Sequence, residues 1–301
     1  MKALYYLIIF SIVVMPISGS AEETRQTAIR HASVTVSGYD LHYDISGHGP
    51  ITIIFLHGLF ADKSHFTALA GCLDEHVYTC MAPDLPCYGQ SRTYPLRYAA
   101  LDLQIEALHD FIGKHSLKRV HLAGSSLGGM LALAYARRYP DRTASLCLIG
   151  APAGLFPWSA DMTKKFNSGG NPFIPQNGDE YRFEMKCLFA APPSIPDEYV
   201  NKAVSDYKDN LARYAAIFNI VSISMYNFST TPMTGYRCPI IMMLGKEERI
   251  FNTADIGKVP LKIPSAEYIL IPDAGHLPML ERPDILADRY GKFLKKMNVS
   301  K

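Results

Sequence analysis

The sequence predicts an α/β protein with a doubly wound, mostly parallel sheet and a helical cap inserted after the sixth strand. Short unbroken apolar runs, of which residues 51–56 are the clearest, are typical of strands that are covered on both faces. Helical segments with apolar residues at spacings of three and four separate these runs, and this alternation indicates βαβ units. The alternation stops over about 80 proline-containing residues, and because connections inside a sheet are short, we interpret that stretch as the cap.

The individual strands and helices can be placed in order along the chain. The first two strands form a hairpin, because two β-like runs flank a turn at Gly38. We expect strands at residues 33–37, 41–45, 51–56, 77–81, 120–123, 144–149, 240–244 and 268–271. We expect core helices at residues 96–115, 127–139 and 285–297, and cap helices at residues 179–189 and 198–219.

The chain divides into a core and an insertion, preceded by a leader. We expect the core in residues 22–152 and 238–301 and the cap in residues 153–237. Residues 1–21 pass from a basic start through an apolar stretch to small residues, which is the order of a secretory signal peptide. The apolar stretch is shorter than the ~20 residues that span a bilayer. We therefore expect cleavage near Ala21 and an exported protein, periplasmic or secreted; an uncleaved N-terminal membrane anchor is the alternative.

The composition is that of a globular protein and does not indicate a nucleic-acid or polyanionic partner. Of the 301 residues, 48% are hydrophobic and 19% are charged, so the chain can bury a sizeable core. The formal net charge of +2 gives no electrostatic reason to expect a nucleic-acid partner. No cysteine or histidine spacing matches a metal site, so we expect neither a metal nor a cofactor. The composition predicts no particular oligomeric state.

Six cysteines would allow up to three disulfides in an exported protein. Cys72 with Cys80, and Cys187 with Cys238, are conceivable pairs. Cys80 and Cys147 lie in apolar runs, however, where a buried free thiol is the commoner state. The sequence alone leaves the pairing open.

The pentapeptide Gly124-Ser125-Ser126-Leu127-Gly128 lies between a predicted strand and a helix rich in alanine, leucine and methionine. A Cβ at either glycine would collide across so tight a turn. The helix start places free N–H groups and the positive end of the helix dipole beside Ser126. Gly-x-Ser-x-Gly in this setting is typical of the nucleophile elbow of the α/β-hydrolase fold, so Ser126 is the candidate nucleophile. A serine that only caps the helix is the alternative, but capping does not require glycines on both sides.

The candidate base is His276. A serine hydroxyl becomes a good nucleophile only when a neighbouring base takes its proton. In the α/β-hydrolase fold the acid and then the histidine follow the serine along the chain. Of the ten histidines only His276 follows Ser126, and it stands in a glycine-containing loop after the predicted strand at residues 268–271. A surface histidine that occurs there by chance is the alternative.

The third member of the triad is expected in the loop after the strand at residues 240–244. Two adjacent carboxylates stand there, and Glu248 occupies the place of the acid if Gly245 anchors the turn. A glutamate can orient an imidazole Nδ1–H as an aspartate does if the turn retracts by about one methylene. Glu247 is the competitor, and Asp255 and Asp273 are weaker ones.

The oxyanion hole of this fold needs two backbone N–H groups. Leu127 follows the nucleophile directly and should supply one of them. The loop after the strand at residues 51–56 should supply the other, and the N–H group of Leu59 is the best candidate there. His57 in the same loop is expected to be a structural ring that closes the loop, and not a second base.

Motifs spread from about residue 30 to the C-terminus resemble the α/β-hydrolase superfamily. They are His57-Gly58, residues 82–89, the elbow, residues 244–248, Gly275-His276 and residues 281–283. Residues 145–155 and 171–175 are similar, more narrowly, to the branch that contains monoacylglycerol lipases and bacterial exported lipases. Such relatives usually have aspartate where Glu248 stands and glycine where Cys87 stands. The first departure leaves the identity of the acid open, and the second puts a thiol on a loop near the mouth of the site.

The resemblance implies a serine hydrolase that cleaves carboxylic esters, acylglycerols or other lipid-like esters among them, through an acyl-enzyme on Ser126. The expected partner is a small ester or lipid, with peripheral membrane contact. Apolar side chains of the cap could line an acyl pocket, or they could form only the core of the cap itself. These side chains are Leu155, Phe156, Trp158, Phe173, Phe183, Met185, Leu188 and Phe189.

Two other functions compete with ester hydrolysis. Hydrolysis of a carbon–carbon bond in ring-cleavage products uses the same triad on the same fold. A binding protein that kept the fold without catalysis is the alternative from another class, although the apparently complete triad argues against it. Epoxide hydrolases and haloalkane dehalogenases need an aspartate where Ser126 stands and are disfavoured.

Overall fold

The computed structural model describes five parts of the chain, which are residues 28–151, 157–231, 233–252, 263 and 266–298. The predicted leader, residues 1–21, lies outside them, and so do the candidate acid Asp255 and the cap residues Leu155 and Phe156. Among the helices of the described parts, none is long and apolar enough to cross a bilayer.

The core of the molecule is one eight-stranded sheet. Its strands are β1 (Arg30–Val36), β2 (Tyr39–Gly47), β3 (Ile51–Leu56), β4 (Tyr78–Pro83), β5 (Val120–Ser125), β6 (Thr143–Ile149), β7 (Ile240–Gly245) and β8 (Ala266–Ile271). Their order across the sheet is β1-β2-β4-β3-β5-β6-β7-β8. β2 is antiparallel to both of its neighbours, and all other adjacent pairs are parallel. The predicted fold class is confirmed, including the hairpin at its start.

Helices flank the sheet and fill the insertion between β6 and β7. The core helices are α1 (Thr67–Gly71), α2 (Leu101–Lys114), α3 (Leu127–Arg138), α8 (Pro278–Glu281) and α9 (Pro283–Asn298). The helices of the insertion are α4 (Ala160–Asn167), α5 (Gly178–Leu188), α6 (Asp197–Asp209) and α7 (Leu211–Ser229). The cap therefore follows the sixth strand, as the loss of alternation in the sequence predicts.

The central strands are buried on both faces, which explains their unbroken apolar sequences. All six residues of β7 are buried, and Ile53 to Leu56 of β3 have no exposed surface. Each fully buried isoleucine or leucine side chain contributes about 1.5–3 kcal/mol relative to an exposed one. The parallel strands end at one edge of the sheet, and the loops that follow β3, β5, β7 and β8 are therefore brought together there.

Two predicted helices are interrupted in the structure, and three short helices, α1, α4 and α8, were not predicted. The helix expected at 96–115 is a short 3-10 turn followed by α2, because Ala100 between them has an extended backbone. The helix expected at 198–219 is two helices, α6 and α7. They are separated at Asn210, whose amide side chain donates hydrogen bonds to the carbonyl and carboxylate of Asp206. α4 was not predicted, although Ser159 caps it by accepting a hydrogen bond from the Met162 N–H group.

All six cysteines lie within the described parts of the chain, and all six are free thiols. The two conceivable pairs, Cys72 with Cys80 and Cys187 with Cys238, are therefore not formed. Cys80 and Cys147 are buried in the sheet, as their apolar surroundings in the sequence indicate. Burial raises the pKa of the Cys80 thiol to about 12, so this group stays protonated and behaves as a small apolar side chain.

Candidate active site

Ser126 lies on a strained turn between β5 and α3. Its φ of 51° and ψ of −113° lie outside the conformations that residues other than glycine usually adopt. Hydrogen bonds hold the turn in place: the Ser126 N–H group donates to the carbonyl of Ile149 at 2.9 Å. The Ser126 carbonyl accepts from the N–H groups of Gly129 and Met130 at 3.0 and 3.2 Å. The predicted elbow therefore has the backbone geometry that its glycines indicate.

The two glycines of the elbow are required by close packing of the backbone. A Cβ added to Gly124 would lie 2.2 Å from the carbonyl oxygen of Gly128. A Cβ added to Gly128 would lie 2.0 Å from the carbonyl oxygen of Leu56, at the end of β3. The elbow is thus pressed against the strand that leads into the candidate oxyanion loop.

The loop after β3 passes next to Ser126. The position of a Cβ on Gly58 is 3.4 Å from the Cβ of Ser126, and Leu59 lines the same cavity as Ser126. His57 fixes this loop: its Nε2 accepts from the Leu85 N–H group and its Nδ1 donates to the Gly58 carbonyl, both at 2.9 Å. Complete burial lowers the pKa of His57, so the ring is neutral. Both ring nitrogens are occupied, as expected of a structural ring.

His276 is held by Glu248. The Nδ1 atom of His276 lies 2.7 Å from Oε2 of Glu248, and both side chains are almost completely buried. Oε1 of Glu248 accepts from the N–H group of Ile250 at 2.7 Å and from that of Phe251 at 3.4 Å. A carboxylate held in this way accepts from Nδ1–H, so Nε2 of His276 is the nitrogen left without a proton.

The competing acids lie elsewhere. Glu247 uses its Oε2 to accept from the Ala274 N–H group at 3.0 Å and does not contact the imidazole. The carboxylate of Asp273 is exposed and pairs with Arg282 at 3.0 Å. Of the three candidates within the described residues, the structure brings Glu248 to His276.

Glu281 joins the His276 loop to the cap, a role that the sequence did not predict. Its Oε2 accepts from the Gly275 N–H group at 2.6 Å, and its Oε1 accepts from the Ala190 N–H group at 2.8 Å. The His276 N–H group also donates to the carbonyl of Leu188, at the end of α5, at 2.9 Å. The only signal in the sequence was the motif at residues 281–283. It indicates that Glu281 matters for the fold, but it does not indicate which atoms its carboxylate contacts.

Cys87 is buried beside the site. Its φ of 79° is in the region that favours glycine, which fits the glycine usual in the relatives that the sequence resembles. The Sγ atom lies 3.3 Å from the carbonyl oxygen of Pro95, and burial raises the pKa of the thiol to about 11. The Cys87 carbonyl accepts from Arg213 of α7 at 2.9 Å. The thiol therefore stabilises its own loop and is not presented at the surface.

A cavity of about 340 Å³ opens in front of Ser126 and His276. Of the apolar cap residues expected to line an acyl pocket, Phe173, Met185 and Leu188 do so. Trp158 instead stacks on Phe251 with ring centroids 5.1 Å apart, and Phe183 packs against the core. The cavity is closed on one side by the cap and on the other by the loop after β3.

Two buried titratable side chains in this cavity were not predicted. His65 has no hydrogen-bond partner for either ring nitrogen, and burial lowers its pKa to about 4, so it is neutral. Glu184 has no hydrogen-bond partner for Oε2, and burial raises its pKa to about 8. A signal for Glu184 was present in the sequence, since Tyr181 precedes it by three residues and Leu188 follows it by four, which places all three on one face of α5.

Comparison with known proteins supports the fold and places lipases among the relatives of this chain. The sequence model of the alpha/beta hydrolase family matches residues 53–289 of this chain. Lipase 1 of Psychrobacter immobilis is 26% identical over 245 residues, which are 80% of this chain and 76% of that protein. Human monoacylglycerol lipase ABHD6 is 25% identical over 249 residues, 79% of this chain and 73% of that protein.

Two further comparisons concern the alternative reaction, carbon–carbon bond hydrolysis, and the fold. A 2-hydroxy-6-oxononadienedioate/2-hydroxy-6-oxononatrienedioate hydrolase of Paraburkholderia phymatum is 24% identical over 296 residues, 90% of this chain and 96% of that protein. The crystal structure of a membrane phospholipase A, described as a bacterial virulence factor, superposes with a TM-score of 0.78 at 24% identity. It covers 90% of this chain and 87% of that one. This structural likeness shows the fold.

Replacement of the buried carboxyl by an amide, Glu184→Gln, should change how stability depends on pH. The native protein keeps the Glu184 proton up to about pH 8, whereas the unfolded chain releases it near the ordinary pKa of 4.5. Between these values the native state binds more protons, so the wild type loses stability as the pH rises. The variant has no such group. The free energy of unfolding of the variant minus that of the wild type should therefore increase by about 1.4 kcal/mol for each pH unit between these two values.

Thermal unfolding of both proteins between pH 5 and pH 8 measures this difference. Glu198→Gln, at an exposed position of α6, is the matched control and should run parallel to the wild type. Parallel curves for Glu184→Gln would contradict the protonated state of Glu184.

Proposed function

This chain belongs to the alpha/beta hydrolase family and is a carboxylic ester hydrolase, and we propose that it works through an acyl-enzyme formed on Ser126. The observation that carries the proposal is the alignment of three groups at one cavity. Ser126 and His276 both line it, and Glu248 holds the far nitrogen of His276 at 2.7 Å. This is the arrangement that activates a serine hydroxyl.

The proposed reaction has two halves. Nε2 of His276 takes the proton of the Ser126 hydroxyl while Oγ attacks the ester carbonyl, and the C–O bond to the alcohol then breaks as His276 returns the proton to the alcohol oxygen. Water enters, gives a proton to His276 and attacks the acyl carbon. The bond to Oγ breaks, the acid leaves and Ser126 recovers its proton. Glu248 stabilises the imidazolium in both halves.

The N–H groups of Leu59 and Leu127 are proposed to bind the oxyanion that forms in each half of the reaction. Leu127 begins α3, so its N–H group belongs to the free donors at the start of a helix. Leu59 follows Gly58, whose close approach to Ser126 brings this part of the loop to the nucleophile. Donors already fixed in such positions stabilise the developing charge without reorganisation.

We propose an acylglycerol or another lipid-like ester as substrate. The apolar side chains of Leu59, Phe60, Phe173, Met185 and Leu188 around the cavity support it, since they would accept an acyl chain. The lipases among the relatives support it as well. Carbon–carbon bond hydrolysis is the second candidate, favoured by the dienedioate hydrolase of Paraburkholderia phymatum, which matches along almost its whole length.

We also propose export, as the leader indicates, and peripheral contact with a lipid surface through α7. Ile223 and Tyr226 stand one turn apart on this helix with 63% and 71% of their surface exposed. The helix contains no acidic side chain. An exposed apolar pair on the cap would place the cavity near a lipid substrate at the bilayer interface.

The reaction type can be tested by comparing p-nitrophenyl esters of increasing chain length with a 2-hydroxy-6-oxo-dienoate substrate. The wild type should hydrolyse the esters far faster than the dienoate and should react covalently with a fluorophosphonate probe. Ser126→Ala should lose about 10⁴-fold or more in kcat and all labelling. Ser125→Ala is the matched control and should keep labelling. Faster turnover of the dienoate would favour the second candidate, and an unreactive wild type would favour a binding protein.

The acid can be identified by substitutions at the adjacent glutamates. Glu248→Ala should lower kcat by about 10³–10⁴-fold, because the imidazole loses its orientation and the stabilisation of its charge. Glu248→Asp should cost about 10²-fold, since its carboxylate would sit one methylene short of Nδ1. Glu247→Gln is the control and should stay within about tenfold of the wild type. The reverse ranking of Glu247 and Glu248 would overturn the assignment.

Membrane contact can be tested by co-sedimentation with phosphatidylcholine vesicles. The double variant Ile223→Asp/Tyr226→Asp should bind the vesicles at least about tenfold more weakly, because two charges would have to enter the interface. Its turnover of a soluble short-chain ester should be unchanged. A double variant with the same added charge at exposed positions away from α7, Ser194→Asp/Asn201→Asp, should bind like the wild type. Equal binding of both double variants would contradict the assignment to α7.

A further inference from the structure

Glu184 is a buried carboxyl group at the wall of the substrate cavity. It lies on α5 and lines the cavity together with Ser126, and only 7% of its surface is exposed. The proposed acyl transfer uses Ser126, His276, Glu248 and two backbone N–H groups, so Glu184 has no part in it. A polar side chain in an apolar wall costs free energy unless a partner satisfies it.

The described residues supply no such partner for one of its oxygens. Oε2 of Glu184 has no hydrogen bond, and no ion pair involves this side chain within the described part of the chain. The basic side chains of the cavity, Arg92 and Lys202, are both exposed and thus belong to its opening. Because burial raises the pKa of Glu184 to about 8, the group is a neutral carboxylic acid at pH 7 and can both donate and accept a hydrogen bond.

Two phenols near Glu184 are uncharged as well. Tyr181 of α5 and Tyr207 of α6 line the same cavity, are buried, and are close enough for the charge of Glu184 to affect them. Burial raises the pKa of both phenols, so neither is ionised at neutral pH. The cap therefore places three neutral hydrogen-bonding groups in the cavity wall, which also contains the partly buried carboxyl of Asp206.

Resting on the proposed ester hydrolysis, we propose that Glu184 determines specificity by hydrogen-bonding an uncharged oxygen of the substrate, a hydroxyl or a second ester oxygen. Such a group would give Oε2 of Glu184 the hydrogen-bond partner that it lacks among the described residues. An anionic group at the same place would have no buried cation to neutralise it and would be rejected. The enzyme should therefore prefer a neutral hydroxylated ester both to a simple alkyl ester and to a phosphorylated ester of the same acid.

Three substrates with one acyl chain test this specificity: 1-monooctanoylglycerol, methyl octanoate and 1-octanoylglycerol-3-phosphate, each used below its micelle concentration. The wild type should show the highest kcat/KM for the neutral glyceride. Glu184→Leu removes the hydrogen bond and should lower kcat/KM for that glyceride about 10–100-fold, mainly through KM. It should change turnover of the methyl ester by less than about threefold, because that substrate has no group for Glu184 to bind.

Two variants separate specificity from a structural role. Glu184→Gln keeps a neutral donor and acceptor, so it should retain the glyceride preference within about threefold. Met185→Leu, at the next position in the same wall, should affect the glyceride and the methyl ester alike. If Glu184→Leu does not fold, Glu184→Met takes its place with the same expected ratio, since methionine adapts to irregular space.

The outcomes distinguish this inference from the proposed function. Failure of the wild type to hydrolyse any of the three esters would remove the proposed function itself. Hydrolysis of all three with an unchanged glyceride-to-methyl ratio in Glu184→Leu would leave ester hydrolysis intact and overturn the role of Glu184. Equal turnover of the neutral and the phosphorylated glyceride by the wild type would overturn it too.

Discussion

The close contact between the elbow and the end of β3 is the constraint on which the site depends. With hydrogen at Cα, Gly128 can lie against the Leu56 carbonyl, where a Cβ would come within 2.0 Å. This contact requires β3 and β5 to be neighbours in the sheet, which the crossover connections provide. It also explains why the loop after β3, which continues directly from Leu56, lies beside Ser126. A strained residue of this kind costs about 1–3 kcal/mol, and the buried strands on either side offset that cost.

The cap is attached to the same machinery and does not simply cover it. Glu281 accepts hydrogen bonds from the His276 loop and from the end of α5, and His276 itself donates to Leu188. A displacement of α5 would therefore shift the loop that carries His276. One carboxylate, that of Glu281, thus joins the cap wall of the cavity to the loop that carries His276.

The buried polar groups of the site divide into two kinds. His57, Glu248 and Glu281 are satisfied by several hydrogen bonds each, so they hold loops in one arrangement. Glu184 and His65 line the cavity with ring or carboxyl atoms that lack partners, and burial keeps both uncharged at neutral pH. The first kind builds the scaffold, while the second leaves hydrogen-bonding capacity facing the space a substrate would enter.

The sequence by itself determined the sheet, the elbow and the choice of Ser126 and His276. These features can be predicted because they depend on apolar runs, on two glycines and on the order of residues along the chain. All three are properties of the sequence that do not depend on tertiary contacts. Only the tertiary structure shows which of Glu247 and Glu248 contacts His276, because adjacent carboxylates differ solely in which loop atoms they meet. The break at Asn210, the burial of Cys87 and the tie made by Glu281 also depend on distant contacts. The protonation of Glu184 also depends on the folded chain. Its position on one face of α5 could be predicted from the sequence. Its raised pKa results from desolvation, because burial in the wall of the cavity exists only after folding.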